Sequence, residues 1–179
     1  FLALGVPVAI SRFVAQDNPH AKSILHQALR IQIIFAFTLS IATFILSPVI
    51  ANLLGDQSLV NLIRFVSLVL LIQSGYPVFV QYLSGMHLFN RQAILTSLYA
   101  VIKLIGALSL IFIFGVYGAF AGFAIGGFSA AIIGWFWTKK IGGTQPHPLP
   151  VKAFLSFAGT YVLILVALQV LISLDLFMV

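Results

Sequence analysis

From Ile31 to Leu54 the chain carries no charged side chain. At about 1.5 Å of helical rise per residue, that stretch crosses the roughly 30 Å hydrocarbon core of a bilayer. The pattern recurs. Leu62 to Ser84, Ala93 to Phe114, Val116 to Trp137 and Ala153 to Leu174 are each apolar over the roughly 20 residues a spanning helix needs. Inside lipid every backbone N–H and C=O must be bonded within the protein, and continuous runs of this length do that as helices. The expected fold is all-α: a polytopic integral membrane protein built as a helical bundle.

Composition supports lipid as the solvent. The chain is 61% hydrophobic and 7% charged, where a soluble domain carries roughly 25% charged residues. Its acids are Asp17, Asp56 and Asp175, with no Glu, and the net charge is +6. The cations are scattered between apolar runs rather than gathered in a patch, which argues against nucleic acid as a partner. Without cysteine there are no disulfides, no thiol catalysis and no Cys-ligated metal. The 13% aromatic content argues against disorder.

Both ends read as interruptions. Phe1 opens inside an apolar run, and residues 1 to 15 are too short to span, so they are expected to be the last half of a helix. LISLDLFMV stops as though a further segment followed, and the chain is expected to be an internal piece of a longer protein. With no charged n-region and no small-x-small cleavage site, a signal peptide is not expected.

The connectors carry recognisable punctuation. Asp17-Asn18-Pro19 offers an N-cap followed by proline at the first helical position, so the second helix is expected to begin at Pro19. Gly55 to Ser58 reads as a tight turn. Phe114 to Gly118 is a minimal reversal, which predicts antiparallel neighbours on either side of it. TKKIGGTQPHPLPVK, residues 138–152, is a polar, partly extended linker and the best joint between structural halves.

Seven of the nine Lys and Arg fall on one side: Arg12, Lys22, Arg30, Arg91, Lys139, Lys140 and Lys152. By the positive-inside rule, loops 16–22, 85–92 and 138–152 are expected to be cytoplasmic. The other two cations are costly where they sit. Arg64 lies near the outer start of its run, and Lys103 about halfway along the next. A cation at mid-bilayer costs about 2.5–3.5 kcal/mol on insertion scales and normally faces water or a partner. No Asp or Glu of this chain lies at matching depth. Lys103 and Arg64 are therefore candidates for lining a wet cavity that attracts an anion. The alternative for Arg64 is snorkelling to the headgroups, and for Lys103 a carboxylate elsewhere in the protein.

Lys22, His26 and Arg30 share one helical face at four-residue spacing. They could receive a phosphate or pyrophosphate headgroup, or simply anchor to anionic lipid. Arg12 ends the first run where a cavity mouth would be, with the same two readings. Gly118, Gly122, Gly126, Ala130 and Gly134 form a small-residue stripe that lets a neighbouring helix approach closely. Pro7, Pro48 and Pro77 are expected to interrupt or end helices around a pathway.

Catalytic constellations are not evident. His20, His26, His87 and His147 lie at or outside the interface, and no two have metal-ligand spacing with a carboxylate. No paired carboxylates, nucleophile elbow or P-loop appears, so no metal or cofactor is expected. Gln73, Ser74, Tyr76, Gln81, Tyr82, Thr160, Tyr161 and Gln169 suit a wettable cavity wall, although each alone is more often a helix–helix hydrogen bond.

The order of these features resembles a known family. GVPVAISRFVAQ, SPVIANLLGD, LIRFVSLVLLIQSGYPVFVQYLSGMHLFNRQA and FGVYGAFAGFAIGGFSA are similar to the oligosaccharide flippases. These are the O-antigen and polysaccharide biosynthesis exporters of the multidrug/oligosaccharidyl-lipid/polysaccharide exporter superfamily. The likeness runs through essentially the whole chain, on loose glycine- and arginine-punctuated patterns. It implies that residues 1–137 are the end of the second through the sixth helices of an N-terminal lobe. It also implies that 138–152 is the cytoplasmic inter-lobe linker, and that 153–179 is the first helix of the C-terminal lobe.

The resemblance further implies alternating access, in a bacterial inner membrane, around a cationic cavity. That cavity would carry an undecaprenyl-pyrophosphate-linked oligosaccharide from the cytoplasmic to the outer leaflet, with no covalent change and hence no enzyme. Lys103 and Arg64, with Arg12 and Arg30 nearer the mouth, would be the pyrophosphate-binding side chains. The implied partners are the lipid-linked oligosaccharide, membrane lipids and other polysaccharide-assembly membrane proteins. A drug/cation antiporter of the same superfamily would need an intramembrane carboxylate. A membrane-embedded enzyme acting on lipid-linked sugars would need an acid/base or metal constellation. Neither stands in this sequence, so each rival would draw it from a part of the protein outside this sequence, and a pure scaffold would pack Lys103 against a neighbouring carboxylate.

Overall fold

The computed structural model describes residues 5–139, 141 and 151–177, without the side chains of Asn18 and of residues 172–177. Seven helices follow in order: α1 (Gly5–Gln16), α2 (Ala21–Leu53), α3 (Leu59–Gln73), α4 (Tyr76–Gly85), α5 (Phe89–Phe114), α6 (Val116–Thr138) and α7 (Val151–Phe177). The described residues contain no strand. Among the described residues, five segments are long and apolar enough to cross a bilayer, with α3 and α4 counting together as one. The chain is an all-α, multi-pass membrane protein. The linker read at 138–152 lies mostly outside the described residues, as do Lys140, His147 and the side chain of Asp175.

Three local expectations change. The run read as one helix over Leu62 to Ser84 is two helices, broken at Ser74 and Gly75. Pro77 has no N–H to offer the Gln73 carbonyl four residues back, and Ser74 N–H turns to Leu71 O at 3.2 Å instead. Pro48, by contrast, neither interrupts nor ends its helix, because α2 runs through it to Leu53. The Phe44 carbonyl that Pro48 leaves unbonded accepts from Ser47 Oγ at 2.8 Å, so the adjacent hydroxyl heals the gap. The third change is at Asp17. The helix proper begins at Ala21 after a 3₁₀ turn at Asn18–His20, with no side-chain cap, and Asp17 Oδ1 instead meets His20 Nδ1 at 2.6 Å.

The most extensive helix pair is α5 with α6, antiparallel about the single residue Gly115. Its φ of 58° is reached readily only by glycine. Between these helices the small residues set the distance. A Cβ on Gly122 would overlap the backbone of Ala107, and one on Gly118 the Leu110 carbonyl. Further along α6, a Cβ on Gly127 would stand 2.9 Å from Gln73 Cγ of α3, and one on Gly134 would stand 2.7 Å from Phe79 Cβ of α4. One helix thus seats three neighbours. In lipid, where burying apolar surface drives little, such close approach is what holds helices together.

The core gathers at one end. Ile10 and Val14 of α1, Leu25 of α2, Leu83 of α4, Leu95 of α5 and Phe154 of α7 are buried together there. Among the described residues this end also carries Arg12, Lys22, Arg30, Arg91, Lys139 and Lys152. Tyr82, fully buried, donates its hydroxyl to Ile141 O at 2.9 Å, which ties α4 to the chain leaving α6. At the far end Phe65 and Tyr117 stack edge-on at 5.5 Å, joining α3 to α6.

Candidate functional site

Lys103 sits at mid-height of the bundle. It faces Gly126, in the middle of α6, where a Cβ would stand 2.9 Å from Lys103 Cβ. The glycine therefore lets the lysine backbone press into the α5–α6 seam. The half-buried side chain then runs along that seam between two rings. Lys103 Nζ lies 5.1 Å from the Tyr99 ring centroid and 4.8 Å from that of Phe123. Tyr99 is one turn before Lys103 on α5, and Phe123 one turn before Gly126 on α6, so helical spacing delivers both. Tyr99 in turn stacks on Tyr76 of α4 at 4.2 Å and 18°. Among the described residues, no carboxylate and no hydrogen-bond acceptor meets Lys103 Nζ.

The magnitudes make this arrangement tenable. A cation over a desolvated ring gains about 2 kcal/mol, so two rings offset an insertion cost of about 2.5–3.5 kcal/mol. The charge is housed without being neutralised.

Arg64 is held differently. Its Nε donates to Ser47 Oγ at 3.2 Å, and its guanidinium lies 5.2 Å from the Phe44 ring. Both partners belong to α2, which makes Arg64 a tie between α2 and α3 with its remaining edge exposed. Arg12 lies 4.5 Å over the Phe157 ring, between α1 and α7. Arg30 is exposed on α2, where it makes no hydrogen bond, ion pair or ring contact among the described residues. Lys103, Arg64 and Arg12 each engage a different pair of helices.

Three of the eight polar residues read as a cavity wall make hydrogen bonds within the bundle. Tyr82 is bonded in the core, Ser74 Oγ donates to Leu71 O at 2.7 Å, and Thr160 Oγ1 to Ser156 O at 2.9 Å. Tyr82 and Ser74, both buried, therefore face protein rather than water. An apolar cleft of about 650 Å³ opens instead between α1, α2 and α7, with Val6, Phe35, Leu39, Leu155 and Val162 in its walls. Among the described residues, no three His, Cys, Asp or Glu side chains are grouped to hold a metal ion.

Sequence reasoning found Lys103 but not its rings. Tyr99 was findable, four residues before it on the same face, whereas Phe123 depends on how α6 packs. The part of Ser47 was hidden as well, because it follows from a proline one residue later and from an arginine on another helix. Compared with known proteins, the whole chain, residues 1–179, matches a family described as polysaccharide biosynthesis protein. No curated protein and no solved structure matches it. With five apolar spanning segments and a match over its entire length, the chain belongs to the polysaccharide biosynthesis protein family.

Proposed function

We propose that this chain is part of an inner-membrane flippase that moves a lipid-linked oligosaccharide, carried on undecaprenyl pyrophosphate, from the cytoplasmic to the outer leaflet. The observation that carries the reading is Lys103, a mid-height cation held between two rings and met by no carboxylate among the described residues. A pyrophosphate crossing the bilayer needs such a charge, and a lysine already paired would have none to offer. The apolar cleft between α1, α2 and α7 offers a polyprenyl chain a lining of its own kind. The step is transport with no covalent change, so the protein is not an enzyme.

In this reading α7 opens a second lobe, and residues 138–152 form a cytoplasmic joint. The packing of Phe154 on Phe13 at 5.5 Å and of Arg12 over Phe157 is then a seam between lobes that alternating access must work against. The test is a Lys103→Cys variant of the full-length protein, labelled with a membrane-impermeant thiol reagent after any cysteines outside this region are replaced. Labelling that lipid-linked pyrophosphate blocks supports the flippase. A variant that resists labelling and still complements polysaccharide export makes Lys103 structural and removes the basis of the proposal.

A further inference from the structure

A second cationic feature lies at the core-rich end, away from Lys103. A cavity of about 140 Å³ is lined by Lys22, Leu25 and His26 from the first turns of α2, and by Trp135, Thr138 and Lys139 from the end of α6. It is far larger than the ~10–15 Å³ that one water needs and smaller than the roughly 300–1,000 Å³ of a site for a drug-sized ligand. The space suits one phosphate group, not a sugar chain.

The lining has one sign of charge. Two lysines line it, one from the start of α2 and one just past the end of α6, and no carboxylate does. His26 is fixed in place: the Lys22 carbonyl can only accept, so Nδ1–H donates to it at 2.8 Å, and the imidazole stands edge-on to Trp135 at 6.0 Å. Thr138 Oγ1 is already committed to Gly134 O at 2.8 Å. The polar groups left for a ligand are those of Lys22, Lys139 and the second nitrogen of His26.

What lies beside the cavity decides the source of the phosphate. Phe128, Ile132 and Trp135, at helical spacing on α6, are 59%, 41% and 44% exposed. They form an apolar stripe leading from the cavity along the membrane-spanning length of that helix. A free phosphate has no use for such a stripe, whereas a phospholipid presents a headgroup phosphate with acyl chains directly beneath it. Basic pockets between helices at a membrane surface take anionic headgroups on the same principle, and tryptophan favours that depth.

We infer that the cavity between the start of α2 and the end of α6 binds the phosphate of an anionic phospholipid, with its acyl chain along Phe128, Ile132 and Trp135. This inference does not rest on the transport reading, since the site would hold a structural or regulatory lipid whatever the protein carries.

Trp135 provides the readout. In the full-length protein, reconstituted with Trp137 and any tryptophan outside this chain changed to Phe, Trp135 is the sole emitter. Its quenching by acyl-brominated phosphatidylglycerol is compared with that by acyl-brominated phosphatidylcholine. The expected result is a preference for the anionic lipid that falls about fivefold on Lys22→Gln or Lys139→Gln and vanishes in the double variant. Arg91→Gln, an exposed cation at the same end but outside the cavity, leaves the preference intact. Equal quenching by the two lipids overturns the inference, and so does a preference that survives in the double variant. A preference erased by orthophosphate, but not by chloride at matched ionic strength, overturns the lipid assignment in favour of a free anion.

Discussion

The α2–α3 seam around Arg64 and the α5–α6 seam around Lys103 both admit a cation into apolar helices. At the first, the cation has a hydroxyl to bond, and that hydroxyl is there because Pro48 left the Phe44 carbonyl without a partner. Ser47 therefore joins a helix repair to an interhelical tie. At the second, the helices are pressed together by Gly118, Gly122 and Gly126, and among the described residues no hydrogen-bond acceptor meets the ammonium. The ammonium lies beside the faces of the Tyr99 and Phe123 rings. The difference frames a testable rule: a cation given a hydrogen-bond acceptor ties helices together, and one given ring faces stays open to an anion.

The largest effect is expected from reopening the tighter seam. Gly122→Leu drives a side chain into the Ala107 backbone, which has no rotamer to yield. Overpacking of this kind costs about 3 kcal/mol or more. Yield of monodisperse protein in detergent and its melting temperature should both collapse. A variant that melts like the wild type would mean that the seam is looser than its glycines imply, and the contrast with Arg64 would lose its physical basis.

Next come the cations themselves. Lys103→Gln removes an insertion cost and two ring contacts of similar size, so its melting temperature should stay near the wild-type value while polysaccharide export is lost. Arg64→Gln removes a charged hydrogen bond and a ring contact from a side chain that is partly exposed. It should lower stability by about 2 kcal/mol and leave export per folded molecule unchanged. If the two variants exchange these phenotypes, the rule drawn from the comparison is wrong.

The sequence carried the architecture because length and hydropathy suffice for it. Five spanning segments, the reversal at Gly115 and the small-residue face of α6 are all written in local spacing. The break at Ser74 and Gly75 and the continuity through Pro48 were not, although both are proline effects. The difference is local: next to Pro48, Ser47 supplies a replacement hydrogen bond, whereas before Pro77 the Ser74 N–H closes a tighter turn on the nearer Leu71 carbonyl. The grouping of Lys22 and His26 with Lys139 and Trp135 was equally illegible, because it depends on the end of α6 returning to the start of α2. Arg30, one turn deeper on the same face as Lys22 and His26, does not line that cavity.

A smaller effect tests the repair itself. Ser47→Ala leaves both the Phe44 carbonyl and Arg64 Nε short of a partner, at about 1 kcal/mol for a side-chain hydrogen bond in a membrane protein. Combined with Arg64→Gln, the loss in melting stability should be less than the sum of the two, because they share one interaction. Strict additivity would show that the hydroxyl serves α2 alone.

The smallest effect lies in the turn between α2 and α3. The Ser58 hydroxyl bonds the Asp56 carboxylate, and Ser58 N–H also donates to Asp56 Oδ1 at 2.8 Å, so Asp56 is held below the ordinary carboxylate value. A depressed folded pKa contributes stability that is present above the unfolded value, about 3.9, and is lost as pH falls through the folded value. Melting curves of wild type and Asp56→Asn should therefore differ by a small constant amount above about pH 5 and converge as the pH falls below the unfolded value. The carboxylate is fully exposed to water, so the gap should be narrow and should shrink with salt. A gap independent of pH would place the turn's stability in its backbone, and the polar cohesion of the α2–α3 seam would then rest on its interhelical bonds, Arg64 Nε to Ser47 Oγ at 3.2 Å and Ser40 Oγ to Ser67 O at 2.7 Å.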